Sequence, residues 1–262
     1  MRSQSLIFTI FGDYILDHGG TIRASSLVRL MAEFGVTETA VRAELLRMRQ
    51  KGVAVVTRIG KHSHYTLSRA GLRRLKDGTD RLYYPEPHPW DNKWRVFVYA
   101  VAETRRTLRD QLRKELAWYG MGQIAQSTWI SPNAIETMLQ SIIDEYLGQD
   151  EASVFLADHL GDSDQLVKRC WDLDRIRFLY EQFIEQWHPV QEQVQNWSDN
   201  EAFVHRIQLV HEFRKFFNID PQLPESLLPA EWAGYAAGRL FRDLREALGP
   251  AADRFFRTAF EP

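Results

Sequence analysis

Three prolines at alternating positions most strongly constrain how this chain of 262 residues can fold. Pro85, Pro87 and Pro89 lie in the stretch RLYYPEPHPWDNKW, residues 81–94. Proline has no backbone N–H and disfavours a helical conformation at the preceding residue, so this stretch predicts an extended linker. We therefore expect four segments, which are residues 1–84, a proline-rich linker at 85–92, residues 93–165 and residues 166–262.

Charged residues are distributed unevenly on the two sides of this linker. Residues 1–85 contain 14 Lys and Arg against seven Asp and Glu, whereas the remainder contains 19 against 28. All 8 tryptophans follow residue 85. A basic segment in a chain whose net charge is only −2 is typical of a nucleic-acid-binding module.

The composition narrows the class of protein and its compartment. The chain is 44% hydrophobic and 26% charged, which is typical of a soluble protein. No apolar run approaches the roughly 20 residues that a membrane helix needs, and we expect no signal peptide. The single cysteine, Cys170, excludes an intramolecular disulfide and indicates a reducing compartment.

The basic segment shows the order helix, helix, helix, hairpin. Apolar residues recur with helical spacing in SQSLIFTIFGDYILDH, ASSLVRLMAEFG and VTETAVRAELLRMRQKG, and TIR is a candidate short strand. VAVVTRIGKHSHYTLS predicts two strands joined by a tight GKHS turn, and RAGLRRLKDG predicts a short final helix. Three helices followed by a hairpin describe a winged helix-turn-helix, whose third helix fits the major groove of DNA.

The third helix, within residues 36–52, separates into two faces at about 100° per residue. Val41, Leu45 and Met48 are expected to face the core, and Thr37 to cap the N-terminus near a phosphate. Arginine suits guanine and glutamine suits adenine in the major groove. A solvated basic face is the alternative, and Leu46 could contact a thymine methyl, a neighbouring element or nothing. The opposite face carries Thr39, Arg42, Ala43, Leu46, Arg47 and Gln50.

The predicted hairpin carries donors suited to phosphate contact at or near its tip. A solvated hairpin is the alternative. His62 and His64 could instead form a metal-ligand pair, but no carboxylate or cysteine lies nearby in the sequence, so we expect no metal. The predicted DNA contacts of the hairpin are Arg58, Lys61, His62, His64 and Tyr65.

Beyond the linker, the sequence predicts an α+β domain followed by helices. WRVFVYAVAE, MGQIAQSTWISP and ASVFLADHLG are strand candidates separated by two helical segments, a βαβαβ order typical of a ferredoxin-like sandwich. From about residue 165 the spacing is helical in DRIRFLYEQFIEQW, NEAFVHRIQLVHEFRKFF and EWAGYAAGRLFRDLREAL. The expected fold class is α+β, with an N-terminal winged helix-turn-helix, a central ferredoxin-like domain and a helical C-terminal region.

The sequence resembles the PaaX family, repressors of the phenylacetic acid degradation operon. This resemblance implies a cytoplasmic homodimer that binds repeats in double-stranded operator DNA and is released by an aryl-acetyl-CoA effector such as phenylacetyl-CoA. The residues that carry it are SLIFTIFGDYILDHGGTI (5–22), FGVTETAVRAELLRMRQKG (34–52), RIGKHSHYTLSRAG (58–71), WDLDRIRFLYEQF (171–183) and DPQLPESLLPAEWAG (220–234).

The resemblance also implies that the middle region has a fold similar to that of a small CRISPR adaptation nuclease. That nuclease uses an acidic residue at the end of its first strand. Here that strand ends in Val101-Ala102-Glu103, without an aspartate. We therefore expect a scaffold, a dimer surface or a ligand surface.

Two functions other than that of a repressor are alternatives for this sequence. A metal-dependent nucleic-acid-processing enzyme built on the central domain is the main alternative. The sequence contains no GxSxG, P-loop, GxGxxG, HExxH or Cys/His cluster, so we expect no enzyme activity, catalytic residue or cofactor. A purely architectural DNA-binding protein spreads positive charge widely, and the acidic remainder of this chain argues against it.

An acyl-CoA effector needs an apolar slot for its acyl group and cations for its phosphates. The eight tryptophans beyond the linker are candidates to line the apolar site for the acyl group. Two arginine-rich helical segments supply candidate cations, and a solvated helix face is the alternative for each. The first segment contains Arg105, Arg106, Arg109 and Arg113, and the second contains Arg239, Arg242 and Arg245.

Overall fold

The fold is known from a computed structural model, which describes residues 3–72, 75, 87–148 and 150–260. Its α-helices are α1 Ser3–Ile10, α2 Ala24–Ala32, α3 Glu38–Gln50, α4 Arg106–Trp118, α5 Glu136–Tyr146, α6 Ser163–Cys170, α7 Leu173–Trp187, α8 Asp199–Phe213 and α9 Ala233–Ala259. Its strands are β1 Thr21–Arg23, β2 Ala54–Ile59, β3 His62–Leu67, β4 Trp94–Tyr99, β5 Gly122–Ala125, β6 Thr128–Ser131 and β7 Ala152–Ala157. The predicted linker at 85–92 and the helix predicted in RAGLRRLKDG lie partly outside the described residues.

The chain divides into two compact units that are each built from separate stretches of sequence. The first unit contains Met1–Tyr84, Phe183–Lys215 and Ala237–Pro262, and the second contains Pro85–Gln182 and Phe216–Ala236. Residues 166–262 therefore contribute to both units. The four-segment division of the sequence stays a prediction about where independently folding domains begin and end.

The first predicted helix changes its winding within the first unit. α1 continues as a π-helical segment, Phe11–Ile15, and then as a 3-10 turn, Leu16–His18. Gly19 ends the helical run at φ 88°, a left-handed conformation that glycine adopts without steric cost. The apolar spacing persists through the change, because Phe11, Tyr14 and Ile15 are all buried.

The first unit also contains a three-stranded antiparallel sheet, whose strands lie in the order β1-β3-β2. Ile59 pairs with His62, so the loop of the hairpin is Gly60-Lys61 alone. Gly60 has φ 59°, as the first residue of a tight two-residue hairpin turn often requires. The predicted GKHS turn is therefore shorter than expected, and His62 already belongs to β3.

The second unit contains a four-stranded antiparallel sheet in the order β5-β6-β4-β7. The stretch 121–132 was predicted as one strand, but it forms a hairpin of β5 and β6, because Gln126 and Ser127 make a turn. The connectivity is thus βαββαβ, the ferredoxin-like order. One core joins this sheet to α4 and α5, and its buried members are Phe97, Tyr99, Leu112, Leu116, Met121, Trp129, Leu139, Ile142 and Ile143.

The C-terminal part is helical, as predicted, but its last helix is longer than the sequence pattern indicates. α9 continues through Pro250 to Ala259. Proline removes one backbone donor from a helix interior. Burial of Ala252, Phe256 and Ala259 compensates for this loss, since these residues continue the apolar stripe of the helix.

Candidate functional site

The outward face of α3 is the first part of the candidate site. Val41, Leu45 and Met48 are buried and anchor the helix, as its periodicity predicts. The side chain of Thr37 accepts a hydrogen bond of 3.3 Å from the backbone N–H of Ala40, which makes it the N-cap. The predicted DNA-facing residues Thr37, Thr39, Arg42, Arg47 and Gln50 are all exposed.

The two arginines on this face are held by carboxylates of their own helix. Nε of Arg42 donates to Glu38 at 2.7 Å, and Nε of Arg47 donates to Glu44 at 3.0 Å. Glu38 is exposed, whereas Glu44 is buried at 7% exposure. Sequence reasoning missed Glu44, although its spacing from Val41 and Met48 places it within the buried stripe.

Leu46 lies on the same outward face with 44% of its surface exposed. Leu46 is therefore not a core residue. It stands among Arg42, Arg47 and Gln50, so the face combines cationic, amide and apolar groups. Contact with base edges in the major groove uses such a combination.

The predicted contacts of the hairpin have different degrees of exposure. Arg58 and Lys61 are exposed, and Tyr65 is half-buried. Nδ1 of half-buried His62 lies 2.6 Å from a guanidinium nitrogen of Arg23, a basic residue of β1 that sequence reasoning did not select. His64 is only 6% exposed.

Cross-strand neighbours flank His64 on both sides in the sheet. β3 is the central strand, and His64 lies opposite Arg23 on one side and Thr57 on the other. Lys61, by contrast, lies in the turn beyond the last strand pair. The exposed cations of the hairpin are therefore at its free end and along β2.

The first group of predicted effector arginines follows β4. Arg105 forms an ion pair with Glu151, and Arg109 donates to Glu103 at 2.8 Å. The hydrogen bond from Arg109 lowers the pKa of Glu103 below its usual value. Glu103 therefore forms an ion pair with Arg109 at the position where the resemblance places the acidic residue of a nuclease. A depression of about 230 Å³ here is lined by Tyr99, Glu103, Arg106, Arg109, Asp110, Arg113 and Gln126.

The second group of predicted effector arginines lies on α9. Arg239 is exposed, Arg242 and Arg245 are half-buried, and the last two line a cavity together with Arg206 of α8. Arg206 and Arg245 both donate to the buried carboxylate of Asp13. Sequence reasoning selected neither Arg206 nor Asp13, because no local pattern joins residues so far apart.

A metal centre would need a cluster of His, Cys, Asp or Glu side chains, and a membrane span would need a long apolar helix. No group of three or more His, Cys, Asp or Glu side chains in that part of the chain could hold a metal ion. None of the helices described there has the length and apolarity needed to cross a membrane.

Comparison with known proteins identifies the family. Residues 2–71 match the family described as PaaX-like protein, residues 87–167 the PaaX protein central Cas2-like domain, and residues 171–258 the PaaX-like protein C-terminal domain. The chain belongs to the PaaX family. The expected resemblance is therefore confirmed along nearly its whole length.

Individual relatives agree with the PaaX assignment. The chain is 34% identical over 264 residues to the transcriptional repressor PaaX of Escherichia coli strain K12, covering 97% of this chain and 83% of that protein. A solved structure of an uncharacterized protein from Mycobacterium tuberculosis is similar with a TM-score of 0.61 and 23% identity, covering 96% of this chain and 97% of that one. That structure supports the fold.

Proposed function

We propose that this protein is a DNA-binding transcriptional repressor of an aromatic, phenylacetic acid catabolic operon. In this proposal residues 1–84 form a winged helix-turn-helix, with α3 as the recognition helix and the β2–β3 hairpin as the wing. The protein acts in the cytoplasm as a homodimer, and an aryl-acetyl-CoA such as phenylacetyl-CoA releases it from the operator. Membership of the PaaX family supports the repressor function.

The outward face of α3 carries the proposal. Arg42, Arg47 and Gln50 are exposed on a helix whose opposite face is fully buried. Arg42 can leave its carboxylate at small cost, because both partners are exposed and such ion pairs contribute only about 0–1 kcal/mol. Release of Arg47 costs more, because it leaves the buried carboxylate of Glu44 without this partner. We assign these three residues to base edges and Leu46 to a thymine methyl.

The remaining exposed residues are assigned to the DNA backbone. Thr37 and Thr39 lie at the N-terminus of α3, where unpaired N–H groups attract a phosphate. Arg58 and Lys61 on the hairpin would add sequence-independent phosphate contacts, with His62 and Tyr65 beside them. The buried His64 is left out of this interface, because only 6% of its surface is exposed.

An electrophoretic mobility shift with the DNA upstream of the protein's own gene tests both halves of the proposal. We expect a shift at moderate salt that random DNA does not compete away, and its loss on addition of phenylacetyl-CoA. Absence of any shift would refute the DNA-binding function. A shift that no aryl-acetyl-CoA reverses would refute the effector alone.

The homodimer makes a geometric prediction about the operator. Two recognition helices related by a two-fold axis contact half-sites separated by about one helical turn or a multiple of it. Footprinting of the shifted complex checks this spacing. A single protected half-site at saturating protein would contradict the dimer.

A further inference from the structure

A cavity in the first compact unit contains three arginines and has a volume of about 400 Å³. Pockets that bind small molecules begin at about this size. Its lining comes from α8 and α9 and consists of Arg206, Phe241, Arg242, Arg245, Glu246 and Gly249. An aromatic ring thus lies beside several guanidinium groups, a combination that can accept an anionic group attached to an organic body.

Arg242 is the arginine of this cavity that has an unsatisfied nitrogen among the described residues. Its Nη1 atom is buried, and no hydrogen-bond acceptor for that atom lies in the described part of the chain. The same part of the chain contains no carboxylate within ion-pair distance of Arg242. A buried guanidinium N–H without an acceptor costs more free energy than an ordinary lost hydrogen bond. An anion that enters the cavity would accept a hydrogen bond from this N–H, and no existing hydrogen bond of that nitrogen would have to break.

The other two arginines share one buried carboxylate. Oδ2 of Asp13 accepts from Nε of Arg206 at 2.7 Å, and its Oδ1 accepts from Nη2 of Arg245 at 2.7 Å. Arg206 also lies 3.5 Å from Asp253. The carboxylates around the cavity are therefore Asp13, Asp253 and Glu246, and an incoming anion has to compete with Asp13 for the guanidinium groups.

Asp13 lies in the π-helical segment that follows α1. A π-helical segment is rare and occurs frequently at functional sites. α1 contacts α3 within the same unit. If Arg206 or Arg245 turns towards a ligand, the buried carboxylate of Asp13 loses a partner, and we expect the segment Phe11–Ile15 that carries it, which directly follows α1, to rearrange.

We propose that this cavity binds a phosphate group of the effector, with Arg242 as the free donor and with Arg206 and Arg245 shared between the phosphate and Asp13. A phosphate accepts several N–H groups at once, and guanidinium donors match its geometry. The inference deepens the proposed function and rests on it, since it assigns the site at which an acyl-CoA weakens DNA binding.

Binding of phenylacetyl-CoA, adenosine 3′,5′-bisphosphate and phenylacetate to the full-length protein tests the site by calorimetry. We expect Arg242→Gln to weaken binding of the first two at least tenfold and to leave binding of phenylacetate unchanged. Arg257→Gln is the matched control, because Arg257 is an exposed arginine of the same helix α9 and does not line the cavity. A tenfold loss confined to phenylacetate would overturn the assignment to phosphate in favour of a carboxylate.

Gly249→Ala provides an independent test of the cavity if Arg242→Gln does not fold. A Cβ at Gly249 would lie 3.2 Å from Nη1 of Arg206, so Gly249→Ala narrows the cavity while it favours the helix. We expect this variant, too, to weaken phosphate binding. Unchanged affinity in both variants would overturn the site.

Mobility shifts separate the failure of this site from the failure of the proposed function. If phenylacetyl-CoA releases the wild type and Arg242→Gln from the operator at equal concentrations, the cavity is wrong and the repressor function stands. If no acyl-CoA releases the wild type, the proposed effector is wrong, and loss of bisphosphate binding in Arg242→Gln would still support the cavity. If the wild type binds neither phosphate compound, the cavity assignment fails.

Discussion

Protonation of His211 is expected to make the first compact unit less stable at mildly acidic pH. His211 is 5% exposed on α8, and its Nδ1 lies 3.1 Å from Oγ1 of Thr9 on α1. The Thr9 hydroxyl donates to the carbonyl of Ser5 at 3.0 Å, so Nδ1–H of a neutral imidazole can donate to Thr9. Burial, together with the nearby charges of Arg214 and Lys215, lowers the pKa of His211 to about 4.

The sign and size of the effect follow from proton linkage. The folded protein disfavours the protonated form, so stability is complete above the ordinary pKa of 6.5 and is lost as the pH falls towards 4. At pH 5 the unfolded chain has bound this proton and the folded chain has not. At about 1.4 kcal/mol per pKa unit, the free energy of unfolding falls by about 2 kcal/mol between pH 7 and pH 5.

Urea denaturation of the wild type and of His211→Gln at both pH values measures this contribution. We expect the loss between pH 7 and pH 5 to be about 2 kcal/mol smaller in His211→Gln. His159→Gln, at an exposed histidine, is the control and should retain the full loss. Equal losses in the wild type and His211→Gln, or an NMR titration of His211 near its ordinary pKa, would refute the reasoning.

Three further substitutions test the DNA interface and the buried ion pairs. Arg42→Ala should weaken operator binding by about 1–3 kcal/mol while random DNA is less affected, and equal losses on both would show a phosphate contact instead. Lys61→Ala should weaken binding to all sequences and reduce the slope of log affinity against log salt by about 1, so an unchanged slope would remove Lys61 from the interface. Asp13→Asn should lower the free energy of unfolding by about 3–5 kcal/mol in urea, because it leaves Arg206 and Arg245 without their shared carboxylate, and a loss below about 1 kcal/mol would contradict that.

Local sequence patterns predicted most of the elements and the outward face of α3. Helical periodicity separates Val41, Leu45 and Met48 from the arginines on the other face of α3. In the structure the first three are buried and the arginines are exposed. The hairpin between β5 and β6 was missed, because the two strands of MGQIAQSTWISP are short and lack a strong glycine or proline turn signal. The continuation of α9 through Pro250 was missed because proline normally ends a helical pattern.

The sequence by itself determined most of the elements, the faces of the helices and the membership of the PaaX family. These properties depend on residues close together in the chain, where a period of 3.6 or 2 residues decides which side is buried. Only the tertiary structure decided that Asp13 meets Arg206 and Arg245, and that Arg242 stands in a cavity without a carboxylate partner in the described part of the chain. Such pairings join residues about 200 positions apart, and no local period encodes which of several arginines a buried carboxylate will contact once the chain has folded back on itself.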